Sequence, residues 1–283
     1  MVHVTLLCSW LFLLVNLSAS SDVFTATTWE APLGWCLANT GQVFTGDFNG
    51  DGRQDMLCHS PNNGHKWIYY ARGDGTFNGD TWDYSMGWCY HTGAQLFLGD
   101  FNGDGRTDLL CHDTTGYKWV ALASTSGTFS STSWEAGLGW CWHSGAQLFI
   151  DDFNADGRSD MLCHDGSGYK WISYANQDGS FPGTSWERAM GWCFHSGSQL
   201  FTGDFNGDRR ADLLCHDSTG YKWVALASSS GTFTSTSWQS ALGWCYHNTA
   251  KLYIADFNKD KRADMLCSDG NGYKWVAFST PAG

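Results

Sequence analysis

An all-β fold, a five-bladed β-propeller of four-stranded antiparallel blades, is what this 283-residue chain predicts, and three observations lead there. Copies of "GWC" begin at Gly34, Gly87, Gly139, Gly191 and Gly243, so successive units start 53, 52, 52 and 52 residues apart. Periods of this length mark propellers or solenoid arrays. Within a unit, short apolar or β-branched runs are punctuated by Gly, Asn and Asp, and no window of helical length shows a 3.6-residue apolar period. The chain ends are offset: the last unit stops at "YKWVAFSTPAG", after its third run, while "FTATTWEAPLGWC" (Phe24–Cys36) matches the fourth run "TFSSTSWEAGLGWC" (Thr128–Cys141). A ring closed by the N-terminal strand uses that offset and hides the edges that a linear array would expose.

The elements follow in chain order. Val4–Val15 is a twelve-residue apolar run ending in Ser18-Ala19-Ser20, which predicts a secretory signal peptide at 1–20; it is too short to span a bilayer. The mature chain, 21–283, reads as a single propeller with units at 34–86, 87–138, 139–190, 191–242, and 243–283 plus 21–33. In each unit "AQLFLGD", "DLLCHD", "YKWVALAS" and "SSTSWEAGLGWC" or their relatives supply the four strands. Removing Cys8 with the signal leaves ten cysteines for an oxidising compartment, in five pairs separated by 22 positions: Cys36/Cys58, Cys89/Cys111, Cys141/Cys163, Cys193/Cys215 and Cys245/Cys267. Disulfides within repeats and a chain of disulfides between blades, ending in Cys267 to Cys36, both remain open. No CxxC spacing suggests zinc. No N-x-Ser/Thr sequon follows the signal, so the mature chain is expected to lack N-glycans. The formal charge of −12 argues against nucleic acid and anionic membranes as partners.

Every unit carries Asp-x-Asn-x-Asp-x-x-x-Asp: Asp47/Asn49/Asp51/Asp55, Asp100/Asn102/Asp104/Asp108, Asp152/Asn154/Asp156/Asp160, Asp204/Asn206/Asp208/Asp212 and Asp256/Asn258/Asp260/Asp264. Hard oxygens at positions 1, 3, 5 and 9 suit Ca2+, up to five ions per chain, whose charge would bring −12 to −2. It is not an EF-hand, which needs Glu at position 12, where Cys58 stands. Position 6 is Gly52, Gly105 and Gly157, then Arg209 and Lys261; a sharp turn there calls for positive φ, so the last two sites are expected to be strained and weaker. The turn "GDFNGDGRTDLL" with its following "GTF" resembles the FG-GAP and VCBS repeats of integrin α-chain propellers and secreted propeller lectins, across all five units. The resemblance implies a β-propeller with calcium in the first hairpin of each blade and, as in several members, glycan clefts between blades.

The five copies also separate framework from function. The Trp of "GWC" and the Lys-Trp pair never vary and read as core. The histidines do vary. His59, His112, His164 and His216 follow the second cysteine of their units, with Ser268 in the fifth; His91, His143, His195 and His247 lie two residues after the first, with Ala38 in the first unit. Joining the "CH" of one blade to the "GWCxH" of the next gives four clefts: His59/His91, His112/His143, His164/His195 and His216/His247. Tyr90, Trp142, Phe194 and Tyr246 would add an aromatic ring to each, and Asp113, Asp165 and Asp217 a carboxylate to three. Pairing within one repeat is the alternative grouping.

A ring beside imidazoles and a carboxylate suits a sugar, whose C–H faces pack on the ring while its hydroxyls bond the polar groups. The expectation is therefore a secreted, extracellular, multivalent lectin that binds glycans or glycoproteins. The alternatives are an integrin-like protein-binding adhesion or scaffold module, and a metal held by each histidine pair. No enzyme is expected, because no Gly-x-Ser-x-Gly, HExxH or asymmetric carboxylate pair stands out from the repeat.

Overall fold

The computed structural model describes residues 29–30, 36, 41–77, 79, 81–247 and 249–281. The predicted signal peptide and, apart from Trp29, Glu30 and Cys36, the predicted closing strand lie outside the described residues. Compact packing separates Met1–Leu33 from Gly34–Gly283, and the second unit carries the blades.

Five antiparallel sheets form a five-bladed β-propeller, and no helix occurs among the described residues. Blade 1 is β1 (Gln42–Gly46), β2 (Asp55–His59), β3 (His65–Tyr69) and β4 (Thr81–Ser85). Blade 2 is β5 (Gln95–Gly99), β6 (Asp108–His112), β7 (Tyr117–Ala121) and β8 (Trp134–Gly137). Blade 3 is β9 (Gln147–Asp151), β10 (Asp160–His164), β11 (Tyr169–Ser173) and β12 (Trp186–Ala189). Blade 4 is β13 (Gln199–Gly203), β14 (Asp212–His216), β15 (Tyr221–Ala225) and β16 (Trp238–Ala241). Blade 5 has three described strands, β17 (Lys251–Ala255), β18 (Asp264–Ser268) and β19 (Lys274–Ala277).

Register repeats from blade to blade. In blade 2, Gln95 faces His112, Phe97 faces Leu110, Cys111 faces Trp119 and His112 faces Lys118. Blade 1 matches this pattern with one extra residue: seven positions separate His59 from Lys66, whereas six separate His112 from Lys118. That insertion, in the β2–β3 turn, is the source of the 53-residue first interval.

The core lies between neighbouring blades. Phe48, Leu57 and Ile68 of blade 1 pack with Leu96, Leu109, Ala121 and Phe129 of blade 2, and three equivalent clusters follow around the chain. Second strands such as β6 and β10 are buried at every position, as a strand sandwiched between two sheets must be. Main-chain bonds add to the junctions: Thr107, Ser159, Ala211 and Ala263 each donate to the carbonyl of the preceding blade's first turn aspartate, Asp47, Asp100, Asp152 and Asp204, at 2.6–2.8 Å. In blade 5, Phe257, Trp275 and Phe278 are exposed.

All five disulfides form within repeats, Cys36–Cys58, Cys89–Cys111, Cys141–Cys163, Cys193–Cys215 and Cys245–Cys267, which settles the connectivity that the sequence leaves open. Each ties the segment entering a blade to that blade's second strand. The first cysteine of every pair sits in the left-handed region, at φ 59–60°.

Candidate recognition sites at the blade turns

The turn between second and third strands starts each site. In blade 2, "DTTG" folds tightly, with Gly116 donating to the Asp113 carbonyl at 3.1 Å. Asp113 then uses Oδ1 to accept from the Thr115 amide, the Thr115 hydroxyl and the Tyr117 amide at 2.8–2.9 Å, an Asx turn that aims the carboxylate. Gly116, at φ +82°, is required by close approach: a Cβ there would lie 2.6 Å from the Trp140 amide and 2.9 Å from Trp142 Cδ1 of the next blade's entering segment. The exposed aromatic of one blade thus lies against the turn of its predecessor; Tyr246 does the same at Gly220.

The other face of the carboxylate meets a histidine. His91 Nε2 is 3.7 Å from Asp113 Oδ2, and the pairs recur as His143–Asp165 at 3.6 Å, His195–Asp217 at 3.7 Å and His247–Asp269 at 3.9 Å, the last with an acid outside the predicted set. These separations exceed a hydrogen bond. The imidazoles are 40–43% exposed, and each stands edge-on to the Trp of its own Lys-Trp pair, Trp119, Trp171, Trp223 or Trp275, at 5.1–5.6 Å between centroids. Tyr117, Tyr169 and Tyr221 lie against the first three of these tryptophans. Nε2 of His143 is shielded from solvent without a hydrogen-bond partner. Burial works to raise the Asp113 carboxyl, but the Thr115 hydroxyl and amide, the Tyr117 amide and the His91 charge outweigh it, so its pKa lies below the ordinary carboxylate value. Asp165 and Asp217 follow the same balance.

The second histidine of each predicted cleft has other work. His112, His164 and His216 are buried, with Nε2 2.9–3.0 Å from the next blade's cysteine carbonyl, Cys141, Cys193 or Cys245. A carbonyl only accepts, so Nε2 carries the proton and Nδ1 accepts from Lys118, Lys170 or Lys222 at 3.2–3.3 Å. His59 is buried likewise, with Lys66 at 3.3 Å and the Cys89 backbone as its partners. Both ring nitrogens are engaged, leaving no lone pair for a metal. The geometry therefore regroups the predicted pairs: exposed histidines meet the carboxylate of their own repeat, where the disulfide holds them, while buried ones cross to the next blade.

Those lysines form a cage missed from sequence. Lys118 is fully buried; its Nζ reaches His112, donates to the Gly116 carbonyl at 3.2 Å and the Trp140 carbonyl at 2.6 Å, and lies 5.4 Å over the Trp140 ring. Burial pushes the amines of Lys66, Lys118 and Lys170 down to about 7 and that of Lys222 to about 8. Burial, then the lysine charge, pushes His59, His112 and His164 down to about 4. The GWC tryptophans Trp88 and Trp140 are buried as expected, but Trp119, Trp171 and Trp223 are half-buried and border the sites.

Blade 1 differs. Ser60 replaces the turn acid, and His65, in the place of Tyr117, stacks on Trp67 at 4.1 Å and pairs with Asp83. Ser60 follows the "CH" of its unit and is legible as the missing acid, whereas His65 lies outside both "CH" and "GWCxH"; reading the residue before each Lys-Trp would have found it.

The acidic turns lie where the first strand of each blade meets the second. The first aspartate gathers amides of its own turn: Asp47 those of Gly50, Asp51 and Gly52, Asp100 those of Gly103, Asp104 and Gly105, and Asp152 those of Asp156 and Gly157. Asp204 and Asp256 follow, the latter with Lys259, Asp260 and Lys261. Asn49, Asn102, Asn154, Asn206 and Asn258 each accept through Oδ1, at 2.9–3.1 Å, from the amides of Asp51, Asp104, Asp156, Asp208 and Asp260. Those five aspartates in turn pair with Arg53, Arg106, Arg158, Arg210 and Arg262. Asp55, Asp108, Asp160, Asp212 and Asp264 each accept from two amides, Phe101 and Ala123 in the case of Asp108.

Among the described residues, no three acidic, histidine or cysteine side chains converge as a ready metal cage; amides and a guanidinium of the same turn lie against the oxygens expected to hold calcium. The donor chemistry nevertheless fits a hard cation: burial, reinforced by the charges of positions 5 and 1, pushes the Asp108 and Asp212 carboxyls up to about 7 and Asp160 to about 8 despite two amide donors each. Position 6 has positive φ in all five turns, 82–83° at the glycines, 70° at Arg209 and 68° at Lys261.

A family model described as FG-GAP-like repeat matches residues 47–111, 152–215 and 204–267. No curated protein sequence matches the chain. Among solved structures, a lectin of Agrocybe aegerita described as recognising non-reducing terminal N-acetylglucosamine is similar, with TM-score 0.65 and 20% identity, over 87% of this chain and 65% of that one. The Photorhabdus luminescens Tc holotoxin pore matches with TM-score 0.44 and 14% identity, over 87% of this chain and 14% of that one.

Proposed function

The chain belongs to the FG-GAP-like repeat family, and from that premise we propose that it is a secreted, multivalent lectin rather than an enzyme. The observation that carries this reading is the fourfold recurrence of one exposed constellation: a histidine–aspartate pair at 3.6–3.9 Å, beside a partly exposed tryptophan. A sugar hydroxyl seated between Nε2 and Oδ2 would bond both groups at once at His91, His195 and His247, and at His143 once its ring turns Nε2, shielded in this arrangement, toward the opening. Tyr90, Trp142, Phe194 and Tyr246, all about half exposed, offer ring faces for the sugar's C–H groups. Four sites on one rigid ring would let avidity compensate for weak single contacts. The A. aegerita lectin shares the fold and recognises terminal N-acetylglucosamine, so N-acetylhexosamine ends are the first ligands to try.

Five disulfides suit an oxidising, extracellular setting, and no helix of the described residues is long and apolar enough to cross a membrane. Calcium belongs to the same reading: Asp100, Asn102, Asp104 and Asp108, with their equivalents, would hold it once the position-5 aspartate leaves its arginine, and its charge would relieve the crowding of carboxylates in each turn. Recognition is assigned to the blade turns, and the metal to stability.

The test is a glycan array with the secreted protein, in calcium and in chelator, followed by calorimetry on a hit. Selective binding with about four sites per chain supports the reading. An empty array from folded protein refutes it.

A further inference from the structure

The first strands β5, β9, β13 and β17 line an open pocket of about 620 Å³ on the inner side of blades 2 to 5. Its mouth is ringed by Gln95, Gln147, Gln199 and Lys251, all exposed. Register places this mouth at the end of the blades that carries the candidate sites, because Gln95 faces His112, Gln147 faces His164 and Gln199 faces His216. Two residues deeper, on the same side of each strand, stand Phe97, Phe149, Phe201 and Tyr253.

Two features distinguish this cavity from a plain solvent channel. The side-chain amides of the three glutamines make no hydrogen bond with any described residue, nor does the Tyr253 hydroxyl or the Lys251 ammonium. Each amide therefore presents a donor and an acceptor to the cavity. Blade 5 also breaks the symmetry: where blades 2 to 4 repeat Gln and Phe, β17 supplies a cation and a phenol on one face, within a chain of formal charge −12.

We propose that the inner pocket is a second ligand site, taking one saccharide unit that bears a carboxylate, a sugar acid. The volume falls within the range of small-molecule pockets, and amides over aromatic walls match hydroxyls over C–H faces. Lys251 and the Tyr253 hydroxyl donate to the carboxylate, and that charge-assisted bond separates an acid from the corresponding neutral sugar. The site is one per chain and independent of the blade-turn sites.

The probes are D-glucuronate and D-glucose, titrated by calorimetry into the full secreted chain. Glucuronate is expected to bind at one site per chain, about tenfold more tightly than glucose. Lys251→Gln, which restores the residue of the other blades at an exposed position, should bring glucuronate down to the glucose level and leave glucose unchanged. The quadruple variant His91→Ala, His143→Ala, His195→Ala and His247→Ala should leave glucuronate binding intact, even if it abolishes glycan binding at the blades. Absence of glucuronate binding, equal affinity for both sugars, or loss in the quadruple variant with no effect of Lys251→Gln would each overturn the proposal. An empty glycan array beside a single glucuronate site would refute only the blade-site reading.

Discussion

Replacing Lys118 by Met removes a buried amine that reaches three acceptors, His112 Nδ1 and the carbonyls of Gly116 and Trp140. Burial lowers this group from 10.5 to about 7 in the folded chain. Between those limits the unfolded chain binds more protons than the folded one, so the wild type gains stability as pH rises across the window. From pH 7 to pH 9 this one group contributes about 2 kcal/mol of that gain. At pH 9 the folded amine is neutral with two N–H donors, and deleting it strands two buried acceptors at about 1–2 kcal/mol each. Lys118→Met should therefore cost about 3 kcal/mol at pH 9 and about 1 kcal/mol at pH 7. Lys274 is the internal control: it holds the same register in blade 5, but is exposed and, among the described residues, bonds only the Gly272 carbonyl. Its replacement by Met should cost under about 0.5 kcal/mol at either pH. Urea unfolding followed by tryptophan fluorescence reads all four values. A stabilising Lys118→Met at pH 9, or a larger cost at pH 7 than at pH 9, would refute the reasoning.

Three further outcomes are expected. Replacing Cys89 and Cys111 together by Ala opens a loop spanning 22 positions and should cost about 3 kcal/mol in chemical denaturation, a loss below about 1 kcal/mol counting against the entropic account. Arg209→Gly, at φ +70°, should raise stability by about 0.5–1 kcal/mol in calcium by relieving left-handed strain, whereas the same exchange at the exposed Arg188 should lower it. Chelator should lower the melting temperature before it alters glycan specificity; an unchanged melt would remove calcium from the turns and leave their closure to the amides and arginines.

The propeller is legible in the sequence because five copies check one another: the same Asp and Gly positions recur, and a strand assignment must hold five times. Disulfide partners are not, since within-repeat and between-blade schemes use the same cysteines, and only the closeness of the entering segment to β6 selects Cys89–Cys111. The histidine grouping fails for a related reason. The within-repeat disulfide carries His91 toward Asp113, while strand β6 points His112 toward the Cys141 carbonyl, and neither direction is encoded in spacing. The acidic turns are legible as a pattern of oxygens, but the motif alone does not show that Arg106 closes on Asp104. The Lys-Trp pair is visible, but a lysine is rarely buried, and the carbonyls that accept from Lys118 leave no mark in a sequence. The extra residue behind the 53-residue interval is visible too, between His59 and Lys66, but that it leaves His65 stacked on Trp67 is not.

The cage and the candidate site share one turn. Asp113, which faces His91, and Gly116, whose carbonyl is held by Lys118, stand at the two ends of the same four residues. The same amine grips the Trp140 carbonyl, two residues before Trp142, whose ring lies against Gly116. One buried group thus positions the carboxylate of one blade and the exposed aromatic of the next. Lys118 touches no ligand in this arrangement, so Lys118→Met should weaken glycan binding at that junction by loosening its two halves, while the sites of blades 4 and 5, each with its own turn, keep their affinity. Chemical shifts of the Trp142 and Trp223 indoles during a glycan titration separate the two cases. Equal perturbation at both would mean that the cage supports the ring as a whole instead of the site beside it.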